Sequence, residues 1–193
     1  TLPLRPPQNH PRCHLFVPMH LPVPRGSYDG EQYYDNWSDF LDDLAQAYHD
    51  TLQQFYDLGA RYIQLDDTTW AYLIAQLNAY RDDPVGRAPF EQIAADDVYV
   101  INKAIAGLPE DLKLSTHICR GNFKSTYLFE GGYQPVAQYL GQLNYDAFFL
   151  EYDNDLSGDF EPLKAIYNNR PNVEIVLGLL TSKSADLESS QEV

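Results

Sequence analysis

Apolar residues recur at helical spacing through residues 37–58. They are Trp37, Phe40, Leu41, Leu44, Tyr48, Leu52 and Phe55. Separations of three or four residues place such side chains on one face, which predicts an amphipathic helix. Gly59 follows where the C-terminal cap of that helix is expected. Residues 97–108, 135–143 and 161–167 predict three further helices, and Pro135 suits the first turn of its own.

Short apolar runs separate these helices. They cover residues 60–67, 112–119, 145–153 and 173–181. One more run, residues 13–17, interrupts a segment that is otherwise rich in proline and predicts only a short strand. Strands that alternate with helices predict βα units on a parallel sheet. The runs are almost continuously apolar, as expected when both faces of a sheet are covered.

The number of strands limits the architecture. Four or five strands do not close an eight-stranded TIM-type barrel, which typically needs ~250 residues. We therefore expect a partial (β/α) barrel that corresponds to the later half of the complete fold. The prediction is a single catalytic barrel domain over residues 1–193, with a proline-rich N-terminal segment at residues 1–36. An open, doubly wound sheet is the alternative.

Composition narrows the classes of partner. The formal net charge of −15 and the pI near 4.4 argue against nucleic acid and against anionic membrane surfaces. The chain has two cysteines, and no apolar run approaches the ~18 residues of a membrane span. We expect a reducing cytoplasm. A half-barrel with exposed sheet edges would also favour self-association, which belongs to the alternative of an inactive fragment or module.

Polar residues cluster where the predicted strands end, at His117 and Cys119 and at Glu151 among others. The carboxyl ends of parallel strands carry the site in such folds. His117 and Cys119 are two residues apart and face the same side, and an imidazole with a thiolate suits zinc. Glu151 ends the next strand and is a third ligand candidate. The alternatives are an ordinary buried cysteine with a histidine nearby, and a glutamate that reaches solvent.

The stretch Asp66, Asp67 and Thr68 ends another strand. Asp67 or Thr68 would serve as the N-cap of a following helix. Asp66 is the candidate functional residue, because a carboxylate at that end can bind a cation, a substrate ammonium group or a hydroxyl group.

Four segments together are similar to the cobalamin-independent methionine synthase family. They are YDLGARYIQLDDTTWAYL, STHICRGN, FFLEYDNDLSGDFEPL and VLGLLTSKSADLE. The resemblance covers residues 37–188 and is strongest for short homologues of the C-terminal catalytic barrel. It implies a (β/α)₈ barrel in which zinc binds the thiol of homocysteine and 5-methyltetrahydrofolate donates the methyl group.

The resemblance also assigns individual residues. The zinc ligands of the family fall on His117, Cys119 and Glu151, and the acid that holds the amino group of homocysteine falls on Asp66. Two positions depart from the family pattern. The fourth zinc ligand of the family is a later cysteine, and no cysteine follows Cys119 here. Lys183 stands where the family has a proton-delivering histidine.

The resemblance therefore predicts an S-methyltransferase. It would use zinc as cofactor and pass a methyl group from 5-methyltetrahydrofolate, or a related donor, to homocysteine or another thiol. Two alternatives stay open at this point. One is a corrinoid-linked thiol methyltransferase or a decarboxylase of the related barrel group. The other is a catalytically inactive fragment or module.

Overall fold

The sheet contains five parallel strands whose spatial order is their order along the chain. The computed structural model describes residues 12–16, 33–186 and 189. The strands are β1 (Arg12–Phe16), β2 (Tyr62–Asp67), β3 (Lys113–Ile118), β4 (Ala147–Glu151) and β5 (Glu174–Gly178). All five coincide with the runs predicted from the sequence.

Sequential strand order decides between the two predicted architectures. A doubly wound sheet reverses its order at a switch point, whereas this sheet runs β1-β2-β3-β4-β5 without reversal. Parallel strands joined in sequence by right-handed crossovers carry their helices on one face. The partial TIM-type barrel is therefore confirmed, and the doubly wound alternative is wrong.

Helices occupy every connection between the strands. They are α1 (Trp37–Asp57), α2 (Thr69–Ala79), α3 (Pro84–Ile105), α4 (Ala137–Leu140) and α5 (Pro162–Tyr167), with a 3₁₀ turn at Asp155–Ser157. Within the described part of the chain, no helix is both long and apolar enough to cross a membrane. Gly59 follows α1 with φ of +103°, as predicted for the residue that ends this helix.

Two of the helices differ from the sequence prediction. No apolar periodicity indicated α2, because its residues are mostly apolar on all sides and six of its eleven are buried. Helix α3 begins at Pro84 rather than at Asp97. Pro89 lies inside this helix, and Asp83 caps its N-terminus by accepting from the N–H groups of Val85 and Gly86. Helix α4 is shorter than predicted.

The two faces of the sheet have different surroundings. Side chains on the helix-covered face are almost fully buried: Ile63, Leu65, Leu114, Ile118, Phe148 and Leu150. The opposite face carries Asp66, His117, Phe149 and Val176 side by side in the strand register. These four side chains are half-buried or exposed. The face that would line a barrel interior is thus the accessible face of this chain.

Asp97 lies in the middle of α3 and is fully buried. Neither carboxylate oxygen of Asp97 has a hydrogen-bond partner in the described structure. Burial raises the pKa of Asp97 well above its ordinary value, and the negative charges of Asp67 and Asp96 add to the effect. Burial also raises the pKa of Asp67, to about 7. A buried, unpaired charge is costly, so Asp97 is held in its neutral form.

We expect the free energy of unfolding of Asp97→Asn to fall less between pH 5 and pH 8 than that of wild type. The unfolded chain ionises Asp97 near pH ~3.9, but the folded chain resists ionisation. The stability that this group contributes is therefore fully present below the unfolded pKa and is lost as the pH rises toward the raised folded pKa. Urea unfolding at pH 5 and pH 8 measures the difference. Asp43→Asn, the same change at an exposed position of α1, is the control. Equal pH dependence in wild type and Asp97→Asn would contradict the prediction.

Candidate metal centre

The carboxyl ends of β2 and β3 bring three potential ligands together. Asp66 pairs with His117 in the strand register, and the backbone N–H of Cys119 continues the pairing by donating to the carbonyl of Asp67 at 3.0 Å. As a result, ligand atoms of Asp66, His117 and Cys119 all lie within 4.8 Å of one another. The predicted convergence of His117 and Cys119 on one side of β3 agrees with this geometry.

The imidazole of His117 lies between two carboxylates. Its Nδ1 contacts Oδ1 of Asp66, and its Nε2 lies 3.2 Å from Oε1 of Glu151. Burial alone would lower the pKa of His117. Hydrogen bonds to Asp66 and Glu151 outweigh burial and raise that pKa to about 10. In the metal-free chain His117 is therefore the positively charged partner of two acids.

Glu151 is the most heavily bonded of the predicted ligands. Asn122 donates from Nδ2 to Oε1 at 2.6 Å, and the Nζ of Lys183 lies 3.1 Å from Oε2. Burial alone would raise the pKa of Glu151, but the bonds from His117, Lys183 and Asn122 lower it to about 2. The carboxylate is thus ionised at neutral pH and held at both oxygens.

Lys183 joins the site from the segment after β5. Its Nζ contacts Oδ2 of Asp153 at 2.6 Å in addition to Glu151. Burial lowers the pKa of Lys183, but the bonds to Asp153 and Glu151 raise it above its ordinary value overall. The structure therefore brings all five predicted residues, Asp66, His117, Cys119, Glu151 and Lys183, to one end of the sheet.

Asn122 was not predicted as a site residue, and Asp153 was noted only as one of the polar residues at the predicted strand ends, without a role. Both lie within segments that carry the family resemblance, Asn122 at the end of STHICRGN and Asp153 two residues after Glu151. Spacing of two residues from Glu151 was the available signal for Asp153, since it resembles the spacing of His117 and Cys119. Asn122 lies beyond the strand, so no strand periodicity could indicate its direction.

The peptide groups of Glu151 are clamped by a buried cluster. The hydroxyl of Tyr133 accepts from the Glu151 N–H at 2.9 Å and donates to the Glu151 carbonyl at 3.2 Å. The hydroxyl of Ser157 donates to the same carbonyl at 3.1 Å, and Arg120 donates to the Ser157 hydroxyl at 2.9 Å. Tyr133, Ser157 and Arg120 are buried. No sequence pattern indicated this cluster, which we call the Glu151 clamp.

The Asp67 side chain has the structural role predicted for it. It is buried, and its Oδ1 accepts from the N–H of Thr69 at 2.8 Å in the first turn of α2. Thr68 occupies the N-cap position but makes no capping bond with its side chain. Asp66 and Asp67 thus face opposite sides of the sheet, one toward the site and one toward the helices.

The donor set suits zinc. Imidazole nitrogen, thiolate sulfur and carboxylate oxygen are its usual ligands, and two tetrahedral ligands at ~2.0–2.1 Å from one ion lie roughly 3.3 Å apart. His117 Nε2 and Glu151 Oε1 are hydrogen-bonded at 3.2 Å, a separation that is also compatible with two ligands of one ion. Glu151 is outside the three-residue group of Asp66, His117 and Cys119. Either carboxylate could therefore join His117 and Cys119.

A cavity of about 230 Å³ borders the candidate centre. Its walls come from β3, β4 and β5 and from the segments that follow these strands. They are His117, Asn122, Glu151, Asp153, Gly178, Leu180, Ser182 and Lys183. The lining places carboxylate, ammonium and amide groups around one opening, so the cavity suits a small polar molecule better than an apolar one.

Comparisons with known proteins give several relatives. The uncharacterized protein YxjH of Bacillus subtilis is 42% identical over 178 residues, which is 90% of this chain and 46% of that protein. A methionine synthase of Pyrococcus horikoshii is 27% identical over 186 residues, 96% of this chain and 45% of that protein. No protein-family model matches the chain.

A solved structure is similar as well. It is a proposed vitamin-B12-independent methionine synthase from Listeria monocytogenes, with a TM-score of 0.63 and 42% identity. The match covers 82% of this chain and 43% of that one. The chain thus spans about half the length of the curated relatives it matches.

We expect Tyr133→Phe to lower the free energy of unfolding by about 1–3 kcal/mol, because it leaves a half-buried Glu151 peptide without two hydrogen bonds. Urea unfolding measures the change. Tyr167→Phe, on the exposed side of α5, is the matched control and should change little. A Tyr133→Phe variant as stable as the control would show that the clamp does not hold Glu151.

Proposed function

We propose that this chain, which is homologous to the short cobalamin-independent methionine synthase-like proteins, is the metal-binding half of a zinc-dependent methyltransferase. The reaction would transfer a methyl group from 5-methyltetrahydrofolate to the thiol of homocysteine. The observation that carries the proposal is the convergence of an imidazole, a thiol and two carboxylates at neighbouring strand ends.

His117, Cys119 and Glu151 would hold the zinc ion. When bound, zinc supplies positive charge that keeps a substrate thiol deprotonated near neutral pH, although a free thiol has a pKa of about 8.5. Glu151 is ionised and clamped at its peptide groups, so its carboxylate needs little reorganisation to act as a ligand. His117 must be neutral to ligate, so metal binding would displace the Nε2 proton, which faces Glu151.

Asp66 has two tasks in this proposal. One oxygen receives the Nδ1–H of His117, which fixes the tautomer and leaves Nε2 directed at Glu151. Asp66 would use its second oxygen to bind the ammonium group of homocysteine, as the family resemblance implies. Asp66 would therefore affect the metal ligand His117 as well as the substrate, because its hydrogen bond sets the orientation of the imidazole.

Lys183 would contribute charge near the reacting thiol. Its ammonium lies between Glu151 and Asp153, and these carboxylates raise its pKa. A raised pKa makes Lys183 a weaker acid. This makes it a less efficient proton donor, because proton transfer is most efficient when the pKa of the donor lies near the working pH. Proton delivery by Lys183 stays a prediction, as does the cytoplasmic location.

We expect the purified chain to bind one zinc ion per molecule, with Cys119→Ser losing most of it. Removing a thiolate takes away both charge and the softest ligand of the set. Metal analysis after dialysis against a weak chelator measures stoichiometry. Cys13 is the other cysteine of the chain. Cys13→Ser is therefore the matched control and should retain the metal.

Glu151→Gln and Asp66→Asn separate the two donor sets. If Glu151 is the third ligand, Glu151→Gln loses zinc while Asp66→Asn weakens binding less, through the orientation of His117. The reverse ranking would show that Asp66 is the ligand. Full zinc content in both Cys119→Ser and Glu151→Gln would refute the site.

Homocysteine should bind to the zinc-loaded chain more tightly than homoserine does. The two amino acids differ only in thiol against hydroxyl, so the difference reports on thiol recognition at the metal. Isothermal titration measures both affinities. We expect Asp66→Asn to weaken homocysteine binding by about tenfold, the scale of one lost charge-assisted hydrogen bond. Equal binding of homocysteine and homoserine would argue against a thiol acceptor.

A further inference from the structure

We propose that Lys183 is an internal counter-cation of the metal centre. In this role its ammonium neutralises Glu151 and Asp153 while the chain carries no metal, and it lowers the affinity with which the site then binds one. The inference rests on the proposed function, because it takes Glu151 as a metal ligand. It adds a residue that sets how tightly the metal is held.

The two oxygens of the Glu151 carboxylate have different partners. Oε2 lies 3.1 Å from the Lys183 ammonium, whereas Oε1 lies 3.2 Å from His117 Nε2 and accepts from Asn122. The oxygen on the His117 side is the one that can join the metal together with the imidazole. Lys183 thus draws electron density toward Oε2 and leaves Oε1 as the oxygen through which Glu151 would ligate the metal.

The ammonium group is positioned by several independent contacts. Asp153 binds it at 2.6 Å, and the Tyr127 ring has its centroid 5.9 Å from Nζ. The backbone N–H of Lys183 donates to the hydroxyl of Thr181 within the segment after β5. Both the backbone and the ammonium group of Lys183 are therefore held by specific contacts.

Burial strengthens the electrostatic interactions of Lys183 with Glu151 and Asp153. The Lys183 side chain is 15% exposed, Glu151 12% and Asp153 5%. The pair of Lys164 and Glu161 on α5 is chemically similar but 78% and 68% exposed. Solvent screens exposed pairs of this kind to near insignificance. Around Lys183 the effective dielectric constant is lower, so a fixed positive charge beside a ligand opposes a divalent cation more strongly.

The charge balance predicts opposite effects for the two partners of this contact. Removing Lys183 leaves Asp153 without its ammonium partner and Glu151 with His117 as its one charged partner. Because His117 gives up its charge when it binds a metal, the change favours a cation at the centre. Removing the charge of Asp153 leaves the whole Lys183 charge directed at Glu151, which disfavours a cation. A residue that only supported the local fold would weaken metal binding in both variants.

Zinc affinity of the full chain tests the inference, measured by competition with a chromophoric chelator. We expect Lys183→Met to bind zinc about tenfold more tightly than wild type and Asp153→Asn to bind it more weakly, on the scale typical of groups next to metal ligands. Lys183→Arg retains the charge and should stay near wild type. Lys164→Met is the matched control and should not change the affinity.

Thermal unfolding of the same variants supplies a second measurement. Without metal, Lys183→Met should unfold at a lower temperature than wild type, because two largely buried carboxylates lose their cation. Zinc should then raise the unfolding temperature of Lys183→Met more than that of wild type, because the ligand bound more tightly stabilises more.

The outcomes separate this inference from the function on which it rests. If wild type binds zinc through Cys119 and Lys183→Met binds it equally or more weakly, the counter-cation role is wrong and the metal centre stands. If neither wild type nor Lys183→Met binds zinc in a manner that depends on Cys119, the centre and the inference both fall. Tighter binding in Lys183→Met with weaker binding in Asp153→Asn supports both.

Discussion

Parallel pairing of β2 with β3 is the interaction on which the site depends. It sets Asp66 beside His117, and a slip of one residue would turn Asp66 toward the helices and Asp67 toward the accessible face. Buried Ile63 and Leu65 on one strand, with Leu114 and Ile118 on the next, oppose such a slip because it would expose them. The apolar core on one face therefore fixes the chemistry on the other.

The sequence was most informative where one physical rule acts alone. Strand ends follow from apolar runs, and two-residue spacing places His117 and Cys119 on one side of β3. Helix α1 follows from its periodicity and from Gly59. Those local rules were enough to predict the parallel fold and to name four of the five residues that the structure gathers at one rim. The fifth, Lys183, was assigned from the family resemblance.

What could not be predicted depends on contacts between distant segments. Nothing near Lys183 in the sequence indicates that its ammonium meets Asp153, thirty residues earlier. The Glu151 clamp likewise joins Tyr133 from one loop to Ser157 from another. Helix α2 escaped prediction for a different reason, since a helix buried on most sides has no polar face to mark its period. Propensity rules describe single elements, whereas these features arise from packing.

The Glu151 clamp has a consequence for how the protein folds. Tyr133 belongs to the loop between β3 and α4, yet both hydrogen bonds of its hydroxyl are to the last residue of β4. Ordering of that loop and registration of the strand end are therefore coupled. The candidate centre has no separate assembly step, and partial unfolding of the loop would release Glu151 at the same moment.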